Sequence, residues 1–516
     1  MNTFKAFIYI INLSLLCLYF PVQAMVHPSI EVTQHNKIIS RLYNNTTSRY
    51  LWLDKRQLTT QAHDALDFIS AASNHGLRPD DYHYSTLHLL DPTQSENSAK
   101  QFDILLTDGL LQLIHDISNG RLDAIIADPD WFIPQTKINA GEFLQQALLT
   151  GHLRSRLNAL IPTRTEYHAL TSAIDRYQSY VDRGGWEQIP ETQVLRSGDT
   201  HHNIPLIQAR LAFEDESLTV KDTEKSKYFD TLMEQAVRRF QKKHSLKNDG
   251  IIGSETRYAM NISASERLRQ IQINLERRRW MPKDLGQRYL FVNLANYKLS
   301  AIENGDTKLD MRIMIGRKTR PTPSFSSQVN HLVFNPYWNI PPNLAILDLL
   351  PQQQANTNYF YLKGIRVFSI DNGQKTEHDP YTIDWESVSD QNFPYILRQD
   401  PGEHNALGQL KFMFPNQWDI YLHDTTHKEL FTESKRSLSS GCIRLEDPIA
   451  LANFSLINNG SELSVMDMIA SNENIGLVLT KSLPIYAVYF TVWLDDGEVI
   501  FSADVYDRDQ HVAELL

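Results

Sequence analysis

The chain of 516 residues is 42% hydrophobic and 22% charged, an ordinary globular composition with enough length for about three or four domains. Glycine and proline are modest, at 21 and 22 residues, which excludes a wholly disordered chain. The formal net charge of -11 at pH 7 argues against nucleic acid as the main partner, because phosphate binding needs a basic field.

The first 24 residues have the pattern of an export signal. Lys5 supplies a basic start, an apolar stretch follows over residues 6–20, and residues 22–24 end it with small side chains. We expect cleavage after Ala24. An uncleaved membrane anchor is the alternative, although the apolar run is shorter than the roughly 20 residues that a spanning helix needs.

The mature chain keeps a single cysteine. Cys17 lies in the signal and leaves with it, so Cys442 has no partner for an internal disulfide. In an exported protein, such a thiol is either a buried inert residue or a reactive nucleophile. The cysteine count alone leaves both roles open.

Residues 25–200 are predicted to form a helical scaffold domain. Apolar residues recur at helical spacing between residues 66 and 114. A glycine pair at 184–185, followed by a stretch containing Pro190 and Gly198, marks the end of this domain.

Residues 201–264 are predicted to form a compact second domain. Ala236, Val237 and Phe240 share one helical face. The segment AVRRFQKKHSLKNDGIIGSETRYAMN resembles the three-helix peptidoglycan-binding domain found in many wall enzymes. The resemblance implies a module that binds the wall, and a generic helical bundle is the alternative.

A bridging helix is predicted over residues 265–286, with Leu268, Ile271 and Leu275 on one face. The arginine run at 277–279 is predicted to be a solvated face of this helix rather than a nucleic-acid site, because the chain as a whole is acidic.

A β domain is predicted over residues 287–480, because the hydrophobic pattern changes at Tyr289 from helical to alternating. Residues 341–404 are irregular and too long for a simple loop, so we predict an inserted cap over the site; a tolerated surface insertion is the alternative. Residues 481–516 are assigned to C-terminal strands and a tail. The predicted fold class is multidomain α+β.

A histidine and the cysteine lie in one segment, IYLHDTTHKELFTESKRSLSSGCIRLEDP, where 442 - 423 = 19 positions separate His423 from Cys442. A free thiol, with a pKa of about 8.5, is mostly protonated at neutral pH, and an adjacent imidazole draws it toward the thiolate. By spacing alone the pair is a weak signal, and a structural role for both residues stays open.

Small residues precede the cysteine. In Ser439-Ser440-Gly441-Cys442, a turn lets backbone N–H groups point to the place where the sulfur attacks, which is the arrangement of an oxyanion hole. Arg444 lies two residues beyond Cys442, on the same side of an extended strand, where it is placed to hold a substrate carboxylate.

The segment resembles the His…Ser-x-Gly-Cys-x-Arg signature of L,D-transpeptidases. Upstream IGRKTRPTPSFSSQVNHLVFNPYWNIPP and downstream PIYAVYFTVWLDDGEVIFSADVYDRD are similar to the large exported members of this family. The resemblance implies Cys442 as nucleophile, His423 as general base, and Gly441 with the Cys442 N–H in the oxyanion hole. The other candidates for the oxyanion hole or substrate binding are Ser439, Ser440, Arg444 and Tyr421. Many members have a histidine in place of Ser440, which leaves His423 as the clearer base.

The same resemblance implies a reaction. The donor is a tetrapeptide stem whose third residue, a diamino acid, is linked to a terminal D-alanine. The thiolate attacks that carbonyl, D-alanine leaves, and the side-chain amine of a neighbouring stem resolves the thioester into a 3→3 cross-link. No cofactor or metal is expected, and the sequence shows no ligand spacing such as His-Glu-x-x-His.

The resemblance also implies partners and a location. The expected partners are peptidoglycan stem peptides and glycan strands, with cell-wall synthesis proteins as further candidates and carbapenem β-lactams as inhibitors. The expected location is the periplasm, or the inner membrane if the signal is uncleaved.

Other acceptors stay open. Water would make the protein an L,D-carboxypeptidase, and a lysine of an outer-membrane protein would make it an anchoring enzyme. A wall-binding protein with an inert catalytic domain is disfavoured by the intact Cys442, His423 and Arg444. A papain-like protease is weaker still, because its cysteine precedes its histidine in the chain.

Overall fold

The fold is multidomain α+β, which confirms the predicted class. The computed structural model describes residues 32–44, 49–215, 217–218, 226–457 and 464–516. The expected export signal, with Cys17, lies outside the described residues. Within the described part of the chain, no helix combines the length and the apolar character that crossing a membrane requires.

The first domain is helical and packs around an apolar core that includes the buried Trp52, Phe102 and Leu110. Its helices are α1 Val32–Asn44, α2 Thr60–Ser70, α3 Tyr84–Leu89, α4 Glu96–Asn119, α5 Ala124–Ala127, α6 Ala140–Thr150, α7 Leu153–Asn158 and α8 Thr165–Asp182. Its short strands are β1 Leu53–Asp54, β2 Gln57–Leu58 and β3 Trp131–Phe132. The longest helix, α4, begins where the Ser95 side chain accepts a hydrogen bond from the Ser98 N–H.

The second domain has three helices among the described residues. They are α9 Ile204–Ala212, α10 Thr231–Lys243 and α11 Ser254–Asn261. The face of α10 that carries Met233, Ala236, Val237 and Phe240 is buried in the core of this domain. The side chain of Asp230 caps α10 by accepting a hydrogen bond from the backbone N–H of Met233.

A long helix, α12 (Ala264–Arg279), connects the second domain to the β domain. A capping box of Ser263 and Glu266 starts it. The predicted solvated arginine face is wrong, because α8 packs on one side of α12 and the C-terminal segment on another. Arg277 and Arg279 are 0% and 4% exposed.

The remaining strands are β4 Arg288–Asn293, β5 Lys298–Glu303, β6 Asp306–Gly316, β7 Ser324–Phe334, β8 Trp338–Asn339, β9 Ile365–Asp371, β10 Gln374–His378, β11 Tyr395–Gln399, β12 Leu410–Met413, β13 Leu422–His423, β14 Ser437–Ser439, β15 Ile443–Leu445, β16 Ile475–Val488, β17 Val492–Asp495 and β18 Glu498–Phe501. The main sheet has the order β12-β13-β15-β6-β5-β4-β16-β7-β3. Because β12 also pairs with β7, the sheet closes on itself around the largest apolar core.

The strand β3 comes from the helical domain yet joins the main sheet. It pairs in parallel with β7, with Trp131 opposite Ser324 and Phe132 opposite Phe325. The ring of Phe132 also lies 4.7 Å from the ring of Trp418. The helical domain is therefore attached to the β domain through backbone hydrogen bonds.

The predicted boundary between residues 480 and 481 is corrected by the structure. It falls inside β16, which pairs with β4 on one side and β7 on the other and is central to the sheet. The C-terminal segment begins after β16, with the hairpin of β17 and β18 and a last helix, Arg508–Leu515.

Residues 338–399 contain a separate four-stranded sheet of order β10-β9-β11-β8. Its own apolar core includes Phe360, Val367 and Leu397. The helices of this region are α13 Pro342–Leu344, α14 Leu350–Ala355 and α15 Tyr359–Leu362, with a π-helical turn at Ala345–Leu349.

Three further helices follow in the chain. The helices α16 Pro448–Ser455 and α17 Val465–Ala470 pack against the main sheet. The last helix, Arg508–Leu515, is α18.

We predict that Arg277→Met destabilises the protein. The guanidinium of Arg277 is fully buried and bonds to Asp509, with Asp128 at 3.9 Å, so its removal leaves buried carboxylates without this cation. The free energy of unfolding should fall by about 3–5 kcal/mol, measured by urea denaturation. As a control, Arg154→Met removes an exposed cation with two ion pairs and should cost about 1 kcal/mol or less. An unchanged urea midpoint for Arg277→Met would contradict the prediction.

Candidate active site

The pairing of β13 with β15 assembles the site. These strands are parallel, with Leu422 opposite Ile443 and His423 opposite Arg444. Leu422 and Ile443 are fully buried in the core of the main sheet. Because side chains alternate between the two faces of a strand, His423, Cys442 and Arg444 lie together on the other face.

The Cys442 sulfur contacts two donors that stabilise its anion and one carbonyl oxygen that accepts from its protonated form. Both the N–H and the hydroxyl of Tyr421 donate hydrogen bonds to it, and it lies 3.9 Å from the Asp419 carbonyl oxygen. Burial nevertheless raises the pKa of the Cys442 thiol above its ordinary value. Burial and the neighbouring sulfur also raise the pKa of Tyr421, so that its hydroxyl stays a donor. The free protein therefore holds a protonated thiol at neutral pH.

His423 is held as a neutral imidazole. Its Nδ1 lies 2.5 Å from the Asp424 carbonyl oxygen, and because a carbonyl only accepts, Nδ1 must carry the proton. Burial, followed by the positive charge of Arg444, lowers the pKa of His423 to about 3. At neutral pH the Nε2 lone pair is therefore free to take a proton, as a general base requires.

The turn before the cysteine is held by internal hydrogen bonds. Ser439 Oγ donates to the Cys442 carbonyl oxygen at 2.5 Å and accepts from the Gly441 N–H at 3.2 Å. Gly441 has a φ of +118°, which an L side chain rarely adopts. The Gly441 N–H is thus engaged in the free protein, and its role in the oxyanion hole stays a prediction. The Cys442 N–H donates to no acceptor within the described residues, which leaves it available to an oxyanion.

A second set of contacts supports this turn from beneath. Thr322 Oγ1 donates to the Gly441 carbonyl oxygen at 2.8 Å and accepts from the Gly316 N–H at 2.9 Å. The Tyr506 hydroxyl donates to the Gly316 carbonyl oxygen at 2.6 Å. Arg508 then donates to the Thr322 carbonyl oxygen at 3.1 Å. The C-terminal segment therefore contacts the structure that holds the nucleophile.

The inserted region contacts the site at two points. Asp348, on the π-helical turn, pairs with Arg317 at 3.0 Å and with Arg320 at 2.5 Å. Arg320 also donates to Ser440 Oγ at 3.3 Å. Trp338, at the start of the insertion, donates a hydrogen bond to the Tyr421 oxygen. The insertion lies beside the nucleophile turn, and that it works as a cap over the substrate remains a proposal.

Lys411 is a site residue that sequence reasoning missed. It lies on β12 directly opposite His423. Its ammonium is 3.7 Å from the centroid of the Tyr421 ring. The signal in the sequence was a single lysine within the apolar run LKFMF, and only the strand register shows that it faces His423.

The structure brings four of the predicted residues to one place: Tyr421, His423, Cys442 and Arg444. Ser439 and Gly441 shape the turn, whereas Ser440 is exposed and contacts Arg320. In the described ranges, no group of three or more His, Cys, Asp or Glu side chains is placed to hold a metal ion.

Family models match three parts of the chain. An L,D-transpeptidase catalytic domain matches residues 287–465, a "Putative peptidoglycan binding domain" matches residues 200–260, and a "Scaffold domain" matches residues 37–174. The chain carries an L,D-transpeptidase catalytic domain. The peptidoglycan-binding resemblance of the second domain is confirmed as well.

Individual relatives cover part of the chain. A "Putative L,D-transpeptidase" of Haemophilus influenzae is 38% identical over 229 residues, which are 44% of this chain and 46% of the relative. The chain thus spans about half the length of this curated relative. A solved carbamoyl enzyme of Ldtfm with avibactam has 13% identity and a TM-score of 0.19, covering 40% of this chain and 51% of that one. An L,D-transpeptidase structure from Xylanimonas cellulosilytica also has 13% identity and a TM-score of 0.19, covering 58% and 99%.

We predict that the alkylation rate of Cys442 in the free protein rises only at alkaline pH. The raised pKa of the thiol moves the midpoint above that of an ordinary cysteine. The pKa of His423, at about 3, gives no step near 6.5. The rate of alkylation by iodoacetamide is measured by intact mass at each pH from 5 to 10.5. The resulting pH profile shows the alkaline midpoint and any step near pH 6.5. Tyr421→Phe should move the midpoint further up, because a donor to the thiolate is lost. A step near pH 6.5 that disappears in His423→Ala would contradict a resting state with a protonated Cys442 thiol and a neutral His423 imidazole.

Proposed function

We propose that the protein is a peptidoglycan L,D-transpeptidase whose nucleophile is Cys442. The observation that carries this proposal is the neutral His423 on the same strand face as Cys442, beside a Cys442 N–H that has no acceptor among the described residues. The donor is a tetrapeptide stem, attacked at the carbonyl between its diamino acid and its terminal D-alanine. The likeness of the catalytic domain to its family supports the choice of substrate.

Acylation begins from a neutral thiol and a neutral imidazole. As the sulfur forms a bond to the donor carbonyl, His423 Nε2 takes the thiol proton. The Tyr421 hydroxyl donates to the sulfur while its charge develops. The Cys442 N–H donates to the oxygen of the tetrahedral intermediate. When this intermediate collapses, the bond to D-alanine breaks and His423 gives its proton to the leaving amine.

Transfer repeats these steps with a new nucleophile. The side-chain amine of a second stem attacks the thioester carbonyl, and His423 takes the proton that the amine loses. The carbon–sulfur bond then breaks and the proton returns to the sulfur. The products are a 3→3 cross-link and the free thiol.

Arg444 is proposed to hold the carboxylate of the terminal D-alanine. Its guanidinium lies on the face of Cys442, and within the described ranges it has no carboxylate partner. Its Nε is buried without an acceptor. An unpaired buried guanidinium gains most from a ligand that presents a carboxylate.

The acceptor and the setting of the enzyme belong to the same proposal. Water as acceptor would give an L,D-carboxypeptidase, and a protein lysine would give an anchoring enzyme. The second domain supports peptidoglycan, including its glycan strands, as the partner. The periplasm, with cell-wall synthesis proteins nearby, is the proposed location.

The function is tested on disaccharide tetrapeptides, using the chain without residues 1–24. We expect cross-linked dimers by mass, whereas tripeptides alone would indicate the carboxypeptidase. Cys442→Ala and His423→Ala should each lower turnover by roughly 10⁴-fold or more, because both belong to one acyl-transfer unit. His427→Ala removes an exposed histidine and serves as the control. Full product formation by Cys442→Ala with a normal melting curve would refute the mechanism.

We predict that a carbapenem acylates this protein once, at Cys442. A strained β-lactam carbonyl can enter the same oxyanion site, and the chain without its signal has one cysteine. Intact mass should rise by one drug equivalent, and peptide mapping should place it on residues 439–444. The adduct should be absent in Cys442→Ala. An adduct on a serine would show that the nucleophile has been misassigned.

A further inference from the structure

The cations around the site fall into two groups. One group is paired with carboxylates: Lys428 with Asp424 at 2.6 Å, Arg320 with Asp348 at 2.5 Å, Arg317 with Asp348 at 3.0 Å, and Arg312 with Glu446. The other group consists of Lys411 and Arg444. In the part of the chain that the structure describes, neither of these two forms an ion pair with a carboxylate.

Lys411 lies on the opposite side of the site from Arg444. The strand order β12-β13-β15 places His423 between them, with Lys411 on one neighbouring strand and Arg444 on the other. Neighbouring strands are about 4.8 Å apart, so the two backbone positions are roughly 10 Å apart. The Lys411 ammonium rests over the ring of Tyr421, whose hydroxyl contacts the Cys442 sulfur. His423 therefore lies between two separate positive groups, and both of them act on the Cys442 sulfur.

The surroundings of Lys411 do not neutralise it. Burial lowers the pKa of Lys411, while Cys442 and Asp419 act in the opposite direction. Asp419 forms no ion pair with it within 4.0 Å. A half-buried ammonium that lies over an aromatic ring and near a protonated thiol loses hydration without gaining a counter-charge. A methionine in this place would pack without that cost, so the positive charge points to an anionic ligand.

We propose that Lys411 binds a second carboxylate of the donor stem, distinct from the one that Arg444 holds. This inference rests on the proposed function. The terminal carboxylate lies on the leaving side of the scissile bond, and the second is carried by the side chain of the third residue, on the acyl side. Lys411 thereby selects donors whose third residue has a carboxylate as well as its amine.

The test uses the full chain without residues 1–24 as the enzyme. It compares three tetrapeptide donors as substrates. One donor has both carboxylates free, one ends in D-alaninamide, and one has its third-residue side-chain carboxylate converted to an amide. In the unmodified protein each amide should lower kcat/KM by about 10–100-fold, because a charged hydrogen bond is lost.

Lys411→Met should lose sensitivity to the side-chain amide alone. Its kcat/KM should be nearly equal for the free donor and the side-chain amide, and should still fall with D-alaninamide. Arg444→Met should show the reverse pattern. Lys411→Arg keeps the charge and should restore part of the preference for the side-chain carboxylate. Lys411→Gln repeats the neutral substitution if the methionine variant melts early.

The alternative role of Lys411 is to stabilise the thiolate, and the three donors separate the two roles. A thiolate effect would lower kcat/KM by the same factor for all three donors and leave their ratios unchanged, which would overturn the proposal. The proposal would also be overturned if the unmodified protein had the same kcat/KM for the free donor and for the side-chain amide. If the unmodified protein turns over none of the donors, the proposed function itself fails, which is a different result.

Discussion

The parallel pairing of β13 with β15 is the constraint on which the site depends. A slip of one residue would turn His423 or Arg444 toward the core in place of the fully buried Leu422 or Ile443. The apolar core therefore fixes the register, and the register places the reactive side chains. Because the main sheet closes on itself, neither strand is at a free edge where it could shift. The same strand register is thus required for a stable core and for the geometry of the site.

Local sequence patterns predicted the helical domains and the main site residues. The features that were not predicted depend on contacts between residues far apart in the sequence. Helical spacing indicated the scaffold and the second domain, and the motif around Cys442 indicated the nucleophile and base. The burial of Arg277 could not be read from its helix, because its partners Asp128 and Asp509 lie far from it in the sequence, one before it and one after it. Lys411 is recognisable as a site residue only once its strand is aligned with that of His423.

Burial explains why the base and the nucleophile both rest in their neutral forms, and the positive charge at the site adds to this effect for the base alone. After burial, the cation of Arg444 is the largest influence that lowers the pKa of His423, and Lys411 and Lys428 act in the same direction. A bound anion would offset these charges and raise the proton affinity of the imidazole. The base would then strengthen when an anionic donor is in place, and the thiol would stay protected from unwanted alkylation when the site is free.

Arg508 connects distant parts of the chain beneath the nucleophile turn. It donates to the Thr322 carbonyl oxygen and to the Asp130 carboxylate, both at 3.1 Å. During synthesis, Asp130 emerges early, Cys442 much later, and Arg508 later still. The turn that presents the thiol therefore lacks part of its support until Arg508 has been made. A growing chain would carry its cysteine in an incompletely supported turn, so that reactivity arises late, after the wall-binding domain has had time to fold.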